Sequence, residues 1–358
     1  MSIRMPYRVP RKLLYLAILL PILVPLSVSA QREPFGPFAV RDQFPVKLLF
    51  LSLRPDAAPL LPDGSLRLST QFAYSNTYAV TSPVGDPTRA ATYYQAAPLT
   101  EYRLSVDTET LRITFDLGWR IDDRWQIGLE FPLMVQMGGF LDSTIEGFHG
   151  LFNLSNGGRE NTPRNDYGVY VARNARFWIS EQQPPPVRIG DTVVRLKSPI
   201  VEAGGRFPSV SVLTAVKLPT GSFDHLSGSG SLDLQLALLV SQRIGASVVL
   251  HYNLARTKLG TPDQHVGFPV KSAIISQMFA FEYIASDRLS VIGQILGNTS
   301  PFPKGMLGPL DRTAYEINAG IKYVMKEDLR LEVGLIENVS QFQNTPDVGV
   351  HARLELTL

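Results

Sequence analysis

Catalysis by a serine nucleophile would need one of the five histidines of this sequence, His149, His225, His251, His265 and His351, close to that serine. Ser247 and His251 share one face of a predicted strand, but four steps of about 3.3 Å separate them by roughly 13 Å, too far for a nucleophile and its base. Partners on neighbouring strands remain open. The sequence has no His-x-x-x-His helix, Gly-rich phosphate loop or Gly-x-Ser-x-Gly elbow. An enzyme that acts on lipid, with His251 or His351 as the base, is therefore an alternative hypothesis only.

A set of ionisable side chains instead occupies every second position of segments whose other positions are apolar. This pattern places them on one face of a strand, and in a closed membrane barrel that face lines the interior. Both signs of charge are present, so the set indicates either a salt-bridged polar core or the lining of a selective conduit. Together with two residues of a long loop, the predicted lining or gating residues are Arg112, Asp116, Arg120, Glu130, His149, Phe148, Lys217, Asp233, His251, Glu316, His351 and Arg353.

Alternation of apolar and polar residues recurs along the sequence and runs to its last residue. In the final segment, residues 347–358, the even-numbered positions are apolar and most odd-numbered ones are polar, apart from Gly349. Short turns follow the even-numbered predicted strands, and long connections follow the odd-numbered ones. This sorting is typical of outer-membrane barrels, whereas a soluble β-sandwich has no reason for it. The predicted fold class is all-β, an antiparallel transmembrane β-barrel of about twelve strands with short periplasmic turns and long extracellular loops.

The second predicted strand changes the parity of its apolar positions along its length. Leu104 and Val106 are even-numbered, whereas Leu111 and Ile113 are odd-numbered. A slip of one residue moves every following side chain to the other face of a sheet. The sequence therefore predicts a β-bulge near residues 107–110.

The first thirty residues have the pattern of a secretory signal peptide. Four basic residues precede an apolar stretch, residues 13–26, and Val28-Ser29-Ala30 supplies small residues for cleavage after Ala30. Cleavage would remove four of the 34 Lys and Arg residues and none of the 32 Asp and Glu, so the net charge would change from +2 to −2. Nucleic-acid binding then has no compositional support. Without Cys, a disulfide framework and thiolate metal sites are excluded, and no apolar run beyond the signal is long enough for a spanning helix.

Residues 31–63 contain six prolines, which prevent a sustained strand ladder. Within them, Phe44, Val46, Leu48 and Phe50 alternate with other residues. These four are predicted to form either a short edge strand or a plug in the periplasmic mouth of the barrel.

The longest connection, residues 137–189, contains a helical pattern. Ile145, Phe148 and Phe152 recur at intervals of three and four residues, and Ser143 with Glu146 has the spacing of a capping box. A helix inside a β protein predicts a folded extracellular loop that acts as a lid or constriction. A helix lying on the membrane surface is the alternative interpretation.

Several short stretches resemble a family of Gram-negative outer-membrane barrels of unknown function. Residues 37–43 resemble its Pro-Phe-x-x-Arg-Asn-Gln opening, with Asp42 in the place of Asn. The other similar stretches are residues 142–149, residues 217–221 with 227–231, Glu337-Asn338, residues 345–347 and His351. The Lys-Leu-Pro-Thr-Gly stretch at residues 217–221 is also similar to barrels for the uptake of aromatic compounds. The resemblance implies a barrel that handles hydrophobic solutes, and it implies no catalytic residues.

The sequence therefore predicts a signal peptide at residues 1–30, a Pro-rich periplasmic segment or plug at 31–63, and an outer-membrane barrel at 64–358. The expected function is a channel or transporter for small solutes, hydrophobic ones included, gated by the loop at 137–189. A lipid-modifying enzyme and a structural or adhesive barrel are the alternatives. Expected partners are outer-membrane lipid and lipopolysaccharide, the outer-membrane insertion machinery and a small-molecule solute, with no nucleic acid, cofactor or metal.

Overall fold

The computed structural model describes residues 33–80, 102–152, 159, 163–173, 176–202, 207–262, 268–305, 308–338 and 344–358. The predicted signal peptide, residues 1–30, lies outside the described residues. The two helices of the described part are α1 (Asp142–Phe152) and a 3-10 helix (Gly308–Asp311). The strands of the described part are β1 (Leu66–Val80), β2 (Tyr102–Arg120), β3 (Gln126–Met137), β4 (Gly168–Arg173), β5 (Arg176–Glu181), β6 (Arg188–Ile189), β7 (Val193–Val201), β8 (Ser209–Lys217), β9 (Asp233–Ile244), β10 (Val248–Lys258), β11 (Ala273–Ile284), β12 (Leu289–Asn298), β13 (Ala314–Lys326), β14 (Leu329–Asn338) and β15 (Val348–Thr357).

Twelve of these strands close into one antiparallel barrel. β1, β2, β3 and β7 to β15 each pair with the next in this order, and β15 pairs back onto β1. The closing register runs from Arg67 opposite Thr357 to Asn76 opposite Val348. Closure gives each of the twelve barrel strands a partner on both sides, so the barrel itself has no open edge, which hydrocarbon does not tolerate. The predicted all-β, twelve-stranded barrel is confirmed.

The strand faces follow the alternation of the sequence. In β9, Leu234 and Leu236 are 51% and 58% exposed on the outside, whereas Asp233 and Gln235 are 0% and 5% exposed. The apolar residues therefore form the outer surface of the barrel and the polar residues its interior, as expected of a transmembrane barrel. In the described part of the chain, no helix is long and apolar enough to cross a membrane.

The predicted bulge in the second strand is wrong. β2 pairs with β1 without any register shift, from Leu66 opposite Trp119 to Val80 opposite Ser105. The change of parity has another cause. Leu104 and Val106 face the interior, where an apolar cluster fills the end of the barrel that carries the long loops, called the outer end below. The faces stay the same along the strand, and the chemistry of the interior changes.

The long-loop end of the barrel carries added structure from residues 137–189. The hairpin of β4 and β5 extends the sheet from the first six residues of β2, and β6 adds a short pairing to β3. α1 covers the range in which the sequence predicted a helix. These elements and the long connections lie at the end opposite the short turns.

Candidate functional site

The interior of the barrel is filled by residues 33–63, which run up from the short-turn end, turn at residues 44–50 and run back down into β1. Near the start of this segment, the backbone N–H groups of Phe35 and Gly36 donate to Glu282, each at 2.9 Å. Past its turn, the Leu51 N–H donates to Asp233 at 2.8 Å, and near its end the Leu61 N–H donates to Gln126 at 2.9 Å. Side chains of the barrel wall thus accept hydrogen bonds from the backbone N–H groups of a segment whose prolines prevent it from pairing as a strand.

Buried arginines join this segment to the barrel wall through two carboxylates. Arg54 of the segment lies 3.3 Å from Asp116 and 3.7 Å from Glu130. Arg195 of β7 contacts both carboxylates, and its Nε is 2.9 Å from Glu130. Arg41 of the segment donates to Glu130 as well. The five side chains are at most 6% exposed, and charges buried this deeply need partners of opposite sign.

A second charged cluster holds the turn of the segment. Lys217 Nζ donates to the Leu49 carbonyl at 3.1 Å and to Ser229 Oγ at 2.6 Å. It also contacts Asp191 at 2.5 Å and Asp233 at 3.4 Å. Lys217 and Asp233 were both predicted from the sequence to line the interior, and the structure brings them together around the backbone of residues 49–51.

A serine, a histidine and a glutamate meet on three neighbouring strands near the short-turn end. Ser241 Oγ is 2.8 Å from His251 Nδ1, and His251 Nε2 is 3.3 Å from Glu282. Acyl transfer needs an accessible nucleophile and donors for an oxyanion. Here the Ala58 N–H donates to Ser241 Oγ at 3.0 Å, and the three side chains are 6%, 0% and 0% exposed. Through Glu282 and Ser241, this group also accepts hydrogen bonds from the backbone of residues 35, 36 and 58.

An apolar cluster closes the outer end of the interior. Phe50, at the turn of the segment, lies 6.2 Å from the ring of Phe302, which lies 6.0 Å from Phe268. Phe268 also packs edge-to-face against Phe223 and Trp178, at 4.9 Å and 5.4 Å. Phe44 and Val46 belong to the same cluster. The sequence predicted an edge strand or a plug in the periplasmic mouth for residues 44–50. They form a turn instead of a strand, and they lie inside the barrel at the end opposite that mouth.

The loop that contains α1 is tied to the barrel rim by Arg159. Its guanidinium pairs with Asp142, the first residue of α1, and with Asp347 just before β15. Against the cost of burial, Asp347 and Asp142 raise the pKa of Arg159. Burial raises the pKa of Asp347 to about 6, although Arg159 opposes the shift. Asn76 of β1 completes the network with hydrogen bonds to Arg159 and Asp142.

The remaining predicted residues are spread along the interior. Arg112 lines a cavity of about 20 Å³ next to Arg41 and Lys217. Glu316 is buried on the inner face of β13, and His351 lies 3.4 Å from Glu332 and edge-to-face with Phe38. Arg353 approaches Asp116 at 3.5 Å, and Arg120 donates to the Leu61 carbonyl at 2.8 Å near the short turns. The side chains of Phe148 and His149 lie outside the described residues.

Sequence reasoning missed the partners that the Pro-rich segment contributes. Arg41, Arg54 and Asp56 are charged residues in a stretch of low strand propensity, and all three form ion pairs with the wall. The signal available in the sequence was this combination of charge with proline. Among the described residues, no group of three or more His, Cys, Asp or Glu side chains has a metal-binding arrangement.

A closed antiparallel barrel with an apolar exterior and a polar interior defines the class of outer-membrane β-barrels. A family model described as "Protein of unknown function (DUF3187)" matches residues 13–357, and the chain belongs to this family. A comparison with curated proteins found no match.

Solved structures with a similar fold include the COG4313 outer membrane channel from Pseudomonas putida F1. It is 12% identical, with a TM-score of 0.54 over 86% of this chain and 100% of the channel. A NanC porin aligns at 7% identity and a TM-score of 0.42 over 82% of this chain and 98% of its own. The toluene transporter TodX from P. putida aligns at 9% identity and a TM-score of 0.34 over 83% and 89%. At these identities the first similarity shows the fold, and the other two add no argument.

Proposed function

We propose that the protein is an outer-membrane channel for small solutes, and that the segment at residues 33–63 is its internal gate. The observation that carries the proposal is a closed barrel whose charged interior is filled by a segment of the same chain. Side-chain contacts hold this segment, and no strand pairing joins it to the wall. Such contacts can be exchanged one at a time, whereas removing a strand would open the barrel. The domain boundaries at residues 30 and 63, delivery through a signal peptide and assembly by the insertion machinery are parts of this proposal.

The two ends of the interior support separate roles. At the outer end, the buried aromatic cluster around Phe268 forms an apolar region that suits hydrophobic solutes. Above it, the loop at residues 137–189 is fixed to the rim through Arg159, so its release would uncover this end. Asp116, Glu130 and Lys217 are charged residues of the barrel wall whose contacts hold the gate segment in place.

A reversible cross-link tests whether the segment must move. The sequence has no Cys, so an introduced pair is the only one that can form. Ala58→Cys with Ser241→Cys joins the segment to the wall at the 3.0 Å contact between Ala58 N and Ser241 Oγ. Ala237→Cys with Ala255→Cys is the matched control, because these residues face each other across β9 and β10 within the wall. Single-channel current is recorded in planar bilayers before and after reduction.

The reduced 58–241 pair is expected to conduct and the oxidised form to be silent, while the control pair conducts in both states. Equal conductance of the oxidised and reduced 58–241 pair would show that the segment is not the gate. No conductance from the wild type, and none after deletion of residues 140–160, would remove the channel function and leave a structural barrel.

A further inference from the structure

A cavity of about 520 Å³ lies between the N-terminal segment and the barrel wall at the short-turn end. Its volume falls within the range of about 300–1,000 Å³ that small-molecule sites occupy. Seven basic and four acidic side chains line it, so its wall is positively charged. The residues that concern the argument are Phe35, Arg67, Lys322, Arg330, Arg353 and Glu355.

Three of these guanidinium groups converge on one carboxylate. Glu355 lies 3.0 Å from Arg353, 3.4 Å from Arg330 and 3.9 Å from Arg67. Each guanidinium has about five N–H donors, whereas a carboxylate has two oxygens. Arg353 also donates to Ser69 Oγ at 3.0 Å.

A second carboxylate near Arg353 and Arg67 does not change this balance. Asp116 is 3.5 Å from Arg353 and 3.7 Å from Arg67, but it also serves Arg54 and Arg195. Donors at this wall therefore outnumber acceptors, which favours a further anion.

An ammonium group and an aromatic ring complete the wall. Lys322 Nζ lies 3.0 Å from Glu332 and donates to the Pro37 carbonyl at 2.7 Å. The guanidinium of Arg330 lies over the ring of Phe35 at 5.1 Å. Prolines of the segment line the same cavity. The basic groups and the apolar surface are adjacent, so a ligand with an anionic group and an apolar body would contact both.

We propose that this cavity binds small organic carboxylates with an apolar body, with Glu355 as the internal carboxylate with which they compete. The assignment rests on the proposed channel function, because it names the class of solute that the inner end of the conduit takes. Arg330 is the most accessible anchor, since 35% of its side chain is exposed. Arg353 and Arg67 are more deeply buried, and Asp116 contacts both of their guanidinium groups.

Binding is tested by fluorine NMR titration of the folded protein in detergent with 4-fluorobenzoate. The neutral isostere 4-fluorobenzamide and empty micelles measure partitioning into detergent. Arg330→Gln removes one anchor, and Arg124→Gln removes a charge from an exposed turn at the same end of the barrel. Glu355→Gln removes the internal competitor.

Saturable benzoate binding that exceeds amide binding roughly tenfold is expected, since one charge-assisted hydrogen bond corresponds to about that factor. Arg330→Gln should weaken it by about tenfold, Arg124→Gln should leave it unchanged, and Glu355→Gln should strengthen it severalfold. If these residues had only a structural role, benzoate affinity would not fall in Arg330→Gln and rise in Glu355→Gln.

Equal binding of benzoate and benzamide would overturn the proposal, and so would equal losses in Arg330→Gln and Arg124→Gln. A protein that conducts ions but does not prefer benzoate would refute this site and leave the channel function intact. One that binds benzoate at this site but never conducts would refute the channel function instead.

Discussion

Replacing Lys217 with Met should release the turn of the internal segment and destabilise the barrel. Its ammonium group contacts Asp191 at 2.5 Å and Asp233 at 3.4 Å, and both carboxylates are more than nine-tenths buried. Removing one partner of a buried ion pair costs about 3–5 kcal/mol, because the remaining charge is left without compensation. The Leu49 carbonyl also loses its 3.1 Å donor. We therefore expect the free energy of unfolding to fall by about 3–5 kcal/mol.

A double substitution separates the lost charge balance from lost packing. In Asp191→Asn with Lys217→Met, only Asp233 is left as an unpaired carboxylate. The new amide oxygen at position 191 can still accept from the Gly221 N–H, which in the wild type donates to Asp191 at 2.9 Å. The double variant should therefore be more stable than Lys217→Met alone by about 1–3 kcal/mol. Lys258→Met, at an exposed position at the end of β10, should change stability by less than about 0.5 kcal/mol.

The measurement is urea unfolding in lipid vesicles, followed by tryptophan fluorescence. Hydrogen exchange reports the turn itself, since the Leu51 N–H that donates to Asp233 should lose protection in Lys217→Met. A loss below about 1 kcal/mol would refute the role of this cluster. A double variant that loses the sum of the two single effects would show that Lys217 and Asp191 act independently.

Two further predictions concern the membrane face and the rim. Leu254 is exposed on the outer face near the middle of β10, so Leu254→Arg should cost about 2–4 kcal/mol of unfolding free energy in lipid, and a variant as stable as the wild type would show that the outer face is misassigned. Burial raises the pKa of Asp347 to about 6, above the ordinary value of about 3.9. Between these two pH values, Asp347 binds a proton in the folded protein but not in the unfolded chain. The free energy of unfolding should therefore rise as the pH falls from about 7 to about 4. Asp347→Asn should remove this part of the pH dependence in urea unfolding, whereas Asp287→Asn, in an exposed turn, should not. Identical pH profiles of wild type and Asp347→Asn would contradict the raised pKa of Asp347.

The sequence alone determined the barrel. Strand alternation has a period of two regardless of what a strand contacts, and hydrocarbon outside a barrel demands an apolar residue at every second position. The final strand shows this from Val348 onward, and the structure pairs it with β1 over ten residues. The same logic failed in β2, where an apolar interior near Leu104 mimicked a change of face.

Only the tertiary structure decided what fills the barrel. The segment's bonds join residues far apart in sequence, such as Phe35 and Glu282, which are 247 positions apart. No periodicity links them, because a Pro-rich backbone satisfied by side chains has no repeat of its own. Likewise, Ser241 and His251 face each other only because the turn between β9 and β10 sets their register. Local pattern therefore specifies the wall of this protein, whereas its interior depends on contacts that exist only once the barrel has closed.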